Sequence, residues 1–319
     1  MTFWGITSFT APTTYYRLDL ETADTQPRSS FEHRSQVQAD FDRLTATQVF
    51  YESRDGTRVP MFLAHRRDLQ LGGSNPVRLS GYGGFGASMS PSFSTYNLAW
   101  MELGGVVAVP CIRGGGEYGR DWHEAGKRAG RQRVFEDFIA AAEWLIDEGY
   151  TSSEKLLISG GSNGGLLVGA VLNQRPDLFG AAIPAVGVMD MLRYHRFTIG
   201  HAWIPEYGSP DDPDLFPVLR SYSPLHNVRR GVGYPPVLVT TADMDDRVVP
   251  AHSFKYAAQM QAAQIGDAPI LLRVETKGSH GGGTSRDQAL EADTDSLAFA
   301  TWALQVPVPE DWGTDKAAD

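Results

Sequence analysis

Short apolar runs alternate with amphipathic stretches over most of the chain, from about residue 47 onward. This alternation is typical of a mostly parallel sheet covered by helices. Runs rich in branched apolar residues predict buried strands at 77–80, 106–112, 156–159, 181–186, 237–241 and 270–274. The pattern therefore predicts an α/β fold with a mostly parallel central sheet and helices on both faces.

The predicted sheet opens with an antiparallel hairpin at its edge. Residues 47–52 and 59–64 flank Asp55-Gly56-Thr57, which is a turn signal. The clearest helix is predicted over 134–148, where apolar residues recur at helical spacing, and Gly149 ends it. Its apolar stripe consists of Phe135, Phe138, Ile139, Ala142, Leu145 and Ile146.

Residues 1–46 differ from the rest because they are polar and turn-rich, with no sustained helical pattern. We therefore expect a separate N-terminal segment over 1–46, followed by one domain over 47–319. A single domain of that size buries a substantial core.

Composition excludes several classes of function. The net charge of −10, from 38 acidic and 28 basic residues, disfavours nucleic acid and anionic lipid as partners. Cys111 is the single cysteine, which favours a reducing compartment, and the first residues lack the pattern of a secretory signal. No segment has the apolar length of a membrane span. We expect a cytoplasmic protein.

A candidate nucleophile lies between a predicted strand and a predicted helix. Gly160, Ser162 and Gly164 form a G-x-S-x-G motif, and the context of strand, sharp turn and helix is the one that the motif requires in α/β-hydrolases. The first free N–H groups of the helix would face an oxyanion, and that of Asn163 is the first donor. An ordinary glycine-rich loop is the alternative for an isolated motif.

The remaining members of a catalytic triad follow in the order expected for this fold, serine, acid and histidine. Asp243, Asp245 and Asp246 come directly after one predicted strand, and His280 comes after the last. The position, the neighbouring glycines and the chain order favour His280 as the base, and one of the three aspartates as the acid.

Two glycine-rich loops resemble nucleotide-binding motifs without meeting their requirements. Gly81–Gly86 matches G-x-G-x-x-G, but the following residues include a proline and predict no helix for a pyrophosphate. The loop at 113–119 lacks the Gly-Lys-Ser/Thr ending of a phosphate loop, and we interpret it as a structural loop near the site. No metal-binding motif is present, so we expect neither a metal nor another cofactor.

Five motifs together resemble the catalytic domain of the prolyl oligopeptidase family. They are Tyr82-Gly-Gly-Phe85, Arg113-Gly-Gly-Gly-Glu-Tyr-Gly119, Gly160-Gly-Ser-Asn-Gly-Gly165, His201-Ala-Trp203 and Asp245-Asp-Arg-Val-Val-Pro250. The resemblance runs in consistent order from about residue 48 to residue 304. It implies a serine peptidase that cleaves short peptides after proline.

The resemblance also assigns roles to individual residues. Asp245 would be the acid, and the Tyr82 hydroxyl would be the second oxyanion donor. A proline-sized slot would be formed by Trp203, Phe85, Val188, Tyr207 and Val248, and Arg247 would bind a substrate carbonyl. Because aromatic residues usually belong to the core, the alternative is core packing. The motifs favour the slot for Trp203 and Phe85 and leave both readings open for the other three.

The sequence departs from the family at two places. Family members carry a β-propeller that covers the active site, whereas residues 1–46 resemble only the end of one. The histidine loop reads Gly278-Ser-His280, where the family usually has a small residue and then glycine before the histidine. Without a propeller, the exposed apolar rim of the slot predicts a homo-oligomer.

Two other functions are considered beside the peptidase. A carboxylesterase would use the same machinery, since esters are cleaved more readily than amides and an uncovered site would accept bulky acyl groups. A binding module without catalysis would be favoured if Ser162 or His280 were absent, but both are present.

Overall fold

A computed structural model describes residues 2–18, 37, 39–281, 285–310 and 312. Its main feature is an eight-stranded sheet. In chain order the strands are β3 (Leu44–Glu52), β4 (Arg58–Arg66), β5 (Val77–Ser80), β6 (Val106–Pro110), β7 (Leu156–Gly161), β8 (Ala181–Ala185), β9 (Val237–Ala242) and β10 (Ile270–Glu275). Two earlier strands, β1 (Thr2–Ser8) and β2 (Ala11–Leu18), form a separate antiparallel pair.

The strand order in the large sheet is β10-β9-β8-β7-β5-β6-β4-β3. Neighbours from β10 to β6 are parallel, whereas β4 pairs antiparallel with both β6 and β3. The sequence prediction of a mostly parallel sheet that opens with an antiparallel hairpin at its edge is therefore confirmed.

Helices lie on both faces of this sheet. They are α1 (Thr95–Glu102), α2 (Arg120–Ala125), α3 (Gln132–Asp147), α4 (Asn163–Gln174), α5 (Ile204–Tyr207), α6 (Phe216–Tyr222), α7 (Ala251–Ala263) and α8 (Arg286–Ala303). One buried core joins α3, α4 and α7 to one face, and a second joins α1 and α8 to the other. Strand β7 shows the division, because Leu156 and Ile158 belong to the first core and Leu157 to the second.

Local sequence explains where one of these helices ends and where another begins. Helix α3 buries most of its apolar stripe and ends at Asp147, two residues before Gly149, whose φ of 74° suits glycine. Helix α8 begins with a capping box, in which the Ser285 side chain accepts the N–H of Gln288 and the Gln288 side chain bonds back to Ser285. The helix prediction for 134–148 is confirmed to within two residues.

Two strand predictions need correction. Strand β6 ends at Pro110, not at Ile112, although Cys111 and Ile112 remain buried. Strand β10 exists but is not a buried strand. It lies at the sheet edge, where Leu271 is 44% and Leu272 is 36% exposed. The branched composition of β10 therefore does not distinguish an edge strand from a central one.

The N-terminal segment contains the hairpin of β1 and β2, which the sequence pattern did not predict. Phe9, in the turn between these strands, is buried against Phe62 of β4, with ring centroids 5.7 Å apart. Residues 19–36 and 38 lie outside the described part of the chain. The division into 1–46 and 47–319 stays a proposal.

Candidate active site

The predicted site residues lie at one end of the sheet, where the parallel strands have their carboxyl ends. Ser162 follows β7, Asp245 follows β9, His280 follows β10, and the loop with Tyr82 follows β5. In open α/β sheets, ligands bind at this carboxyl end of the strands. The topology therefore gathers side chains that are far apart in the sequence.

Ser162 occupies a sharp turn between β7 and α4, with φ of 59° and ψ of −116°. A non-glycine residue adopts this region at a cost in free energy, and such strain is typical of functional turns. The flanking glycines are required by contact. A Cβ on Gly160 would lie 2.6 Å from the Gly164 oxygen, and a Cβ on Gly164 would lie 2.5 Å from the Gly81 oxygen.

The geometry distinguishes the three aspartates that follow β9. Asp245 is buried, and its Oδ2 accepts a 2.7 Å hydrogen bond from Nδ1 of His280. Its Oδ1 accepts the N–H groups of Arg247 and Val248 at 3.0 and 2.9 Å. Asp243 instead accepts the N–H of Lys277 at 2.7 Å, and Asp246 is exposed. Only Asp245 of the three is joined to His280 by a hydrogen bond in the described residues.

The Tyr82 side chain lies close enough to Ser162 for the two side chains to interact. Burial raises the pKa of the Tyr82 phenol, while the charge of Arg131 and the interaction with Ser162 oppose that rise. The net direction is upward, so the phenol keeps its proton at neutral pH. A neutral phenol in this position can donate a hydrogen bond to an oxygen anion.

Asn163, the first residue of α4, is buried and joins three elements through its side chain. Its Nδ2 donates to the backbone oxygen of Tyr82. Its Oδ1 accepts from the Tyr207 hydroxyl at 2.8 Å and from Nη2 of Arg131. Because this side chain bonds through both its oxygen and its nitrogen, the loop of Tyr82 is tied to the start of α4.

Two of the predicted slot residues are accessible aromatic rings. Phe85 is 40% exposed, and Trp203 is half-buried. Tyr207 lies between them, in edge contacts with centroids 5.5 Å from Phe85 and 6.5 Å from Trp203. One face of Trp203 stacks nearly parallel on Tyr194, with centroids 6.3 Å apart. The rings therefore form one connected aromatic cluster.

The other predicted slot residues are placed differently. Val188, Tyr207 and Val248 are each 1% exposed and belong to the main core. They can support a slot from behind but offer almost no surface to a ligand. The Arg247 side chain is exposed and lies in the loop of Asp245, at the same end of the sheet, and its charge opposes the rise in the pKa of Tyr82.

A buried polar group beside the slot was not predicted from the sequence. Glu206 accepts the N–H of Phe85 at 2.8 Å and contacts Nε2 of His123 at 2.8 Å. Nη1 of Arg131 lies 3.7 Å from its Oε1. Glu206 follows the His201-Ala-Trp203 motif closely, but nothing in the sequence distinguishes Arg131 from an exposed arginine.

Neither glycine-rich loop has the form of a nucleotide-binding site. No helix starts directly after Gly86, since α1 begins at Thr95. Arg113, in the second loop, is buried and bonded to Asp137 and Asp55, as a structural loop requires. Among the described residues, no group of three or more His, Cys, Asp or Glu side chains could hold a metal ion. No helix in the same residues is long and apolar enough to cross a membrane.

The fold and the strand-turn-helix around Ser162 are those of an α/β-hydrolase. The model of the prolyl oligopeptidase family matches residues 91–306. The chain belongs to the prolyl oligopeptidase family, as the resemblance in the sequence indicated.

Individual relatives agree with this assignment. A prolyl endopeptidase of Elizabethkingia meningoseptica is 46% identical over 305 residues, which cover 95% of this chain and 43% of that protein. Prolyl oligopeptidase A of Amanita bisporigera is 43% identical over 305 residues, or 95% of this chain and 40% of that protein. The structure of a post-proline cleaving enzyme from Rickettsia typhi matches with a TM-score of 0.86 at 34% identity, over 95% of this chain and 43% of that one. The chain thus spans less than half the length of these relatives.

Proposed function

We propose that this chain is a serine peptidase that cleaves short peptides after proline, through an acyl-enzyme on Ser162. The observation that carries the proposal is the buried Asp245 carboxylate bonded to Nδ1 of His280, at the sheet edge that also bears the strained Ser162 turn. That bond leaves Nε2 as the ring nitrogen for the Ser162 hydroxyl. The comparisons support it, since relatives of this chain are named prolyl endopeptidases.

The proposed reaction uses side chains together with one backbone N–H group. Nε2 of His280 takes the Ser162 proton as Oγ attacks the substrate carbonyl carbon, and Asp245 stabilises the imidazolium. The N–H of Asn163 and the hydroxyl of Tyr82 bind the oxyanion. The tetrahedral intermediate then expels the amine, which receives the proton from His280. Water attacks the acyl-enzyme by the same route and releases the acid.

Proline specificity is assigned to the aromatic cluster. We infer that the pyrrolidine ring enters beside Phe85 and Trp203, whose rings are accessible, and that Arg247 donates to a carbonyl of the substrate. Val188, Tyr207 and Val248 are buried in the core, and Tyr207 contacts both rings.

The test compares wild type with a Ser162→Ala variant on a peptidyl-prolyl amide and its alanyl counterpart. We expect the wild type to prefer the prolyl amide and to be labelled at Ser162 by a fluorophosphonate, and the variant to lose both turnover and labelling. Full turnover by Ser162→Ala would falsify the proposal.

A carboxylesterase with an open site is the alternative. The exposed Phe85 ring favours it, because an accessible apolar surface beside the serine also suits bulky acyl groups. A panel of peptide and aryl-ester substrates of increasing size separates the two functions. The peptidase requires that prolyl amides are cleaved, whereas turnover of esters alone identifies the esterase.

The partners and the cellular compartment of the protein are also predictions. The net charge of −10 argues against nucleic acid as a partner, and the single cysteine favours the cytoplasm. We further expect the chain to associate with copies of itself.

A further inference from the structure

Arg131 is a buried charged residue of this site, and the proposed reaction does not use it. Its side chain is fully buried, beneath the aromatic cluster and against the start of α4. Its guanidinium carbon lies 5.3 Å from the centroid of Tyr207 and 5.9 Å from that of Phe135. Removing a charge from water costs free energy, so an apolar residue of similar volume would be easier to accommodate here.

Among the described residues, the guanidinium group of Arg131 has hydrogen-bond acceptors for only part of its nitrogens. Nη2 donates to Oδ1 of Asn163, but Nε and Nη1 have no hydrogen-bond acceptor there. Glu206 lies 3.7 Å from Nη1 and is shared with the N–H of Phe85 and with His123. By contrast, Arg113 places its guanidinium between two carboxylates. The buried charge of Arg131 therefore faces one carboxylate, at 3.7 Å and without a hydrogen bond to it, and that carboxylate is shared with two other groups.

The contacts of Arg131 point toward the two donors of the proposed oxyanion hole. Its bond to Oδ1 fixes the orientation of the Asn163 amide, which then donates through Nδ2 to the Tyr82 backbone. Asn163 supplies the N–H donor and Tyr82 the hydroxyl donor, so one side chain holds both. The charge also acts on the phenol, where Arg131 opposes the effect of burial more than Glu206 reinforces it.

We propose that Arg131 is a positioning residue of the oxyanion hole, which locks Asn163 and Tyr82 together and adds a buried positive charge behind the developing oxyanion. Because that negative charge exists only after Ser162 attacks, the effect is larger in the transition state than on substrate binding. This inference rests on the proposed serine peptidase function and concerns the same site.

The experiment compares wild type with Arg131→Met, which removes the charge at similar volume, and with Arg131→Lys, which keeps it. Each is assayed on a peptidyl-prolyl amide and with two inhibitors. A peptidyl-prolinal aldehyde forms a tetrahedral adduct with Ser162 and places an oxygen anion in the hole. The matching prolinol alcohol fills the same slot without reacting.

For Arg131→Met we expect kcat and the affinity for the aldehyde to fall together by roughly 10- to 100-fold, somewhat less than loss of a direct donor. KM and the affinity for the alcohol should change by less than about 3-fold, since neither depends on the oxyanion. Arg131→Lys should recover most of the loss.

Arg78→Met provides a matched control on the opposite face of the sheet. Arg78 also donates to an asparagine Oδ1, that of Asn97 at 2.8 Å, and also lies over a tyrosine ring, that of Tyr96 at 4.8 Å. Its loss should lower stability without a selective loss of aldehyde affinity.

Two results would overturn the inference. One is a folded Arg131→Met variant whose kcat and aldehyde affinity stay within about twofold of wild type. The other is an equal loss of affinity for aldehyde and alcohol, which would indicate a role in slot structure only. If Arg131→Met does not fold, Tyr207→Phe replaces it, because it removes the other donor to Oδ1 and must weaken aldehyde binding more than alcohol binding. A wild type that cleaves no prolyl amide and resists the fluorophosphonate refutes the proposed function instead.

Discussion

The hydrogen bond between Asp245 and His280 distinguishes the three aspartates that follow β9. The sequence places Asp243, Asp245 and Asp246 equally well, and the family resemblance selects Asp245. The structure adds the reason, because the loop turns so that Asp245 is buried against His280 while Asp246 faces solvent. Sequence spacing cannot give this result, since it depends on which way each side chain of a tight turn points.

That contact makes a sharp prediction for Asp245→Asn. The amide can keep the N–H bonds of Arg247 and Val248 at Oδ1, but its Nδ2 would then face Nδ1 of His280 as a donor. The ring would be forced into the tautomer that carries its proton on Nε2, which cannot accept the Ser162 proton. We expect kcat to fall about 10³-fold or more in steady-state assays.

Asp246→Asn is the matched control, since it removes a neighbouring exposed carboxylate. Its kcat should stay within about twofold of wild type, as for most exposed charges. An equal loss in both variants would mean that the charge of the loop, and not the Asp245–His280 bond, matters.

A second residue-scale prediction concerns the stability of the fold at acid pH. His252 is buried and neutral, and its Nδ1 accepts the N–H of Asp190 at 3.0 Å. Burial lowers its pKa from 6.5 to about 4, while the nearby charges of Asp190 and Lys255 act in opposite directions. The unfolded chain therefore takes up this proton first as the pH falls.

Because the unfolded chain is protonated first, the folded state loses stability as the pH falls. The contribution of His252 to stability is complete above its unfolded pKa of 6.5 and is lost as the pH falls toward 4. Between pH 7 and pH 4.5 we expect a loss of about 2 kcal/mol from this group. Urea unfolding at both pH values should show a smaller acid effect in His252→Asn, whose side chain can accept a hydrogen bond but does not titrate. The same pH dependence in both proteins would contradict the prediction.

At the scale of elements, the turn between β7 and α4 depends on where a methyl group can fit. A Cβ on Gly164 would lie 2.5 Å from the Gly81 backbone oxygen, and neither backbone can move without shifting Ser162. We expect Gly164→Ala to reduce the free energy of unfolding by about 2 kcal/mol or more. Fluorophosphonate labelling of Ser162 should slow as well, because the turn must open to relieve the contact.

Gly161→Ala is the control from the same turn. A Cβ there has Ala185 O as its nearest neighbour at 4.0 Å, so the added methyl group meets no obstacle. Its unfolding free energy should stay within about 1 kcal/mol of wild type in urea titrations. A loss comparable to that of Gly164→Ala would show that the turn tolerates no side chain for reasons other than contact.

Elements with a strong local pattern could be predicted from the sequence, and elements held by distant contacts could not. The stripe of α3 and the parallel strands β5, β7, β8 and β9 each carry their own signal, so their prediction succeeded. The hairpin of β1 and β2 has no such pattern, and it contacts the main sheet through Phe9 and Phe62. The exposed position of β10 depends on strand order, which composition does not contain.

The same distinction applies to the candidate site. Ser162 and His280 lie at strand ends and could be proposed from motif and order, which also limited the acid to the three aspartates after β9. The burial of Val188, Tyr207 and Val248 and the contacts of Arg131 arise where separate elements meet. No spacing within the chain encodes them.

At the scale of the whole molecule, the apolar surface expected at the slot rim is found mainly elsewhere. Phe85 is the exposed ring at the slot, whereas the hairpin of β1 and β2 exposes Phe3, Trp4, Ile6 and Tyr15 by 48% to 58%. A two-stranded hairpin is only marginally stable in water without a packing partner. Clustered exposed apolar residues of this kind favour association.

We therefore expect the chain to self-associate at micromolar concentration, with the hairpin contributing more than the slot. Sedimentation velocity should show a concentration-dependent shift to larger species in wild type. A Trp4→Ser and Ile6→Ser double variant should shift toward monomer, and Phe85→Ser should change the distribution little, since it removes one exposed ring and leaves the hairpin surface intact. A monodisperse wild-type monomer under these conditions would contradict the prediction, because it would mean that the exposed hairpin needs no second copy to cover it.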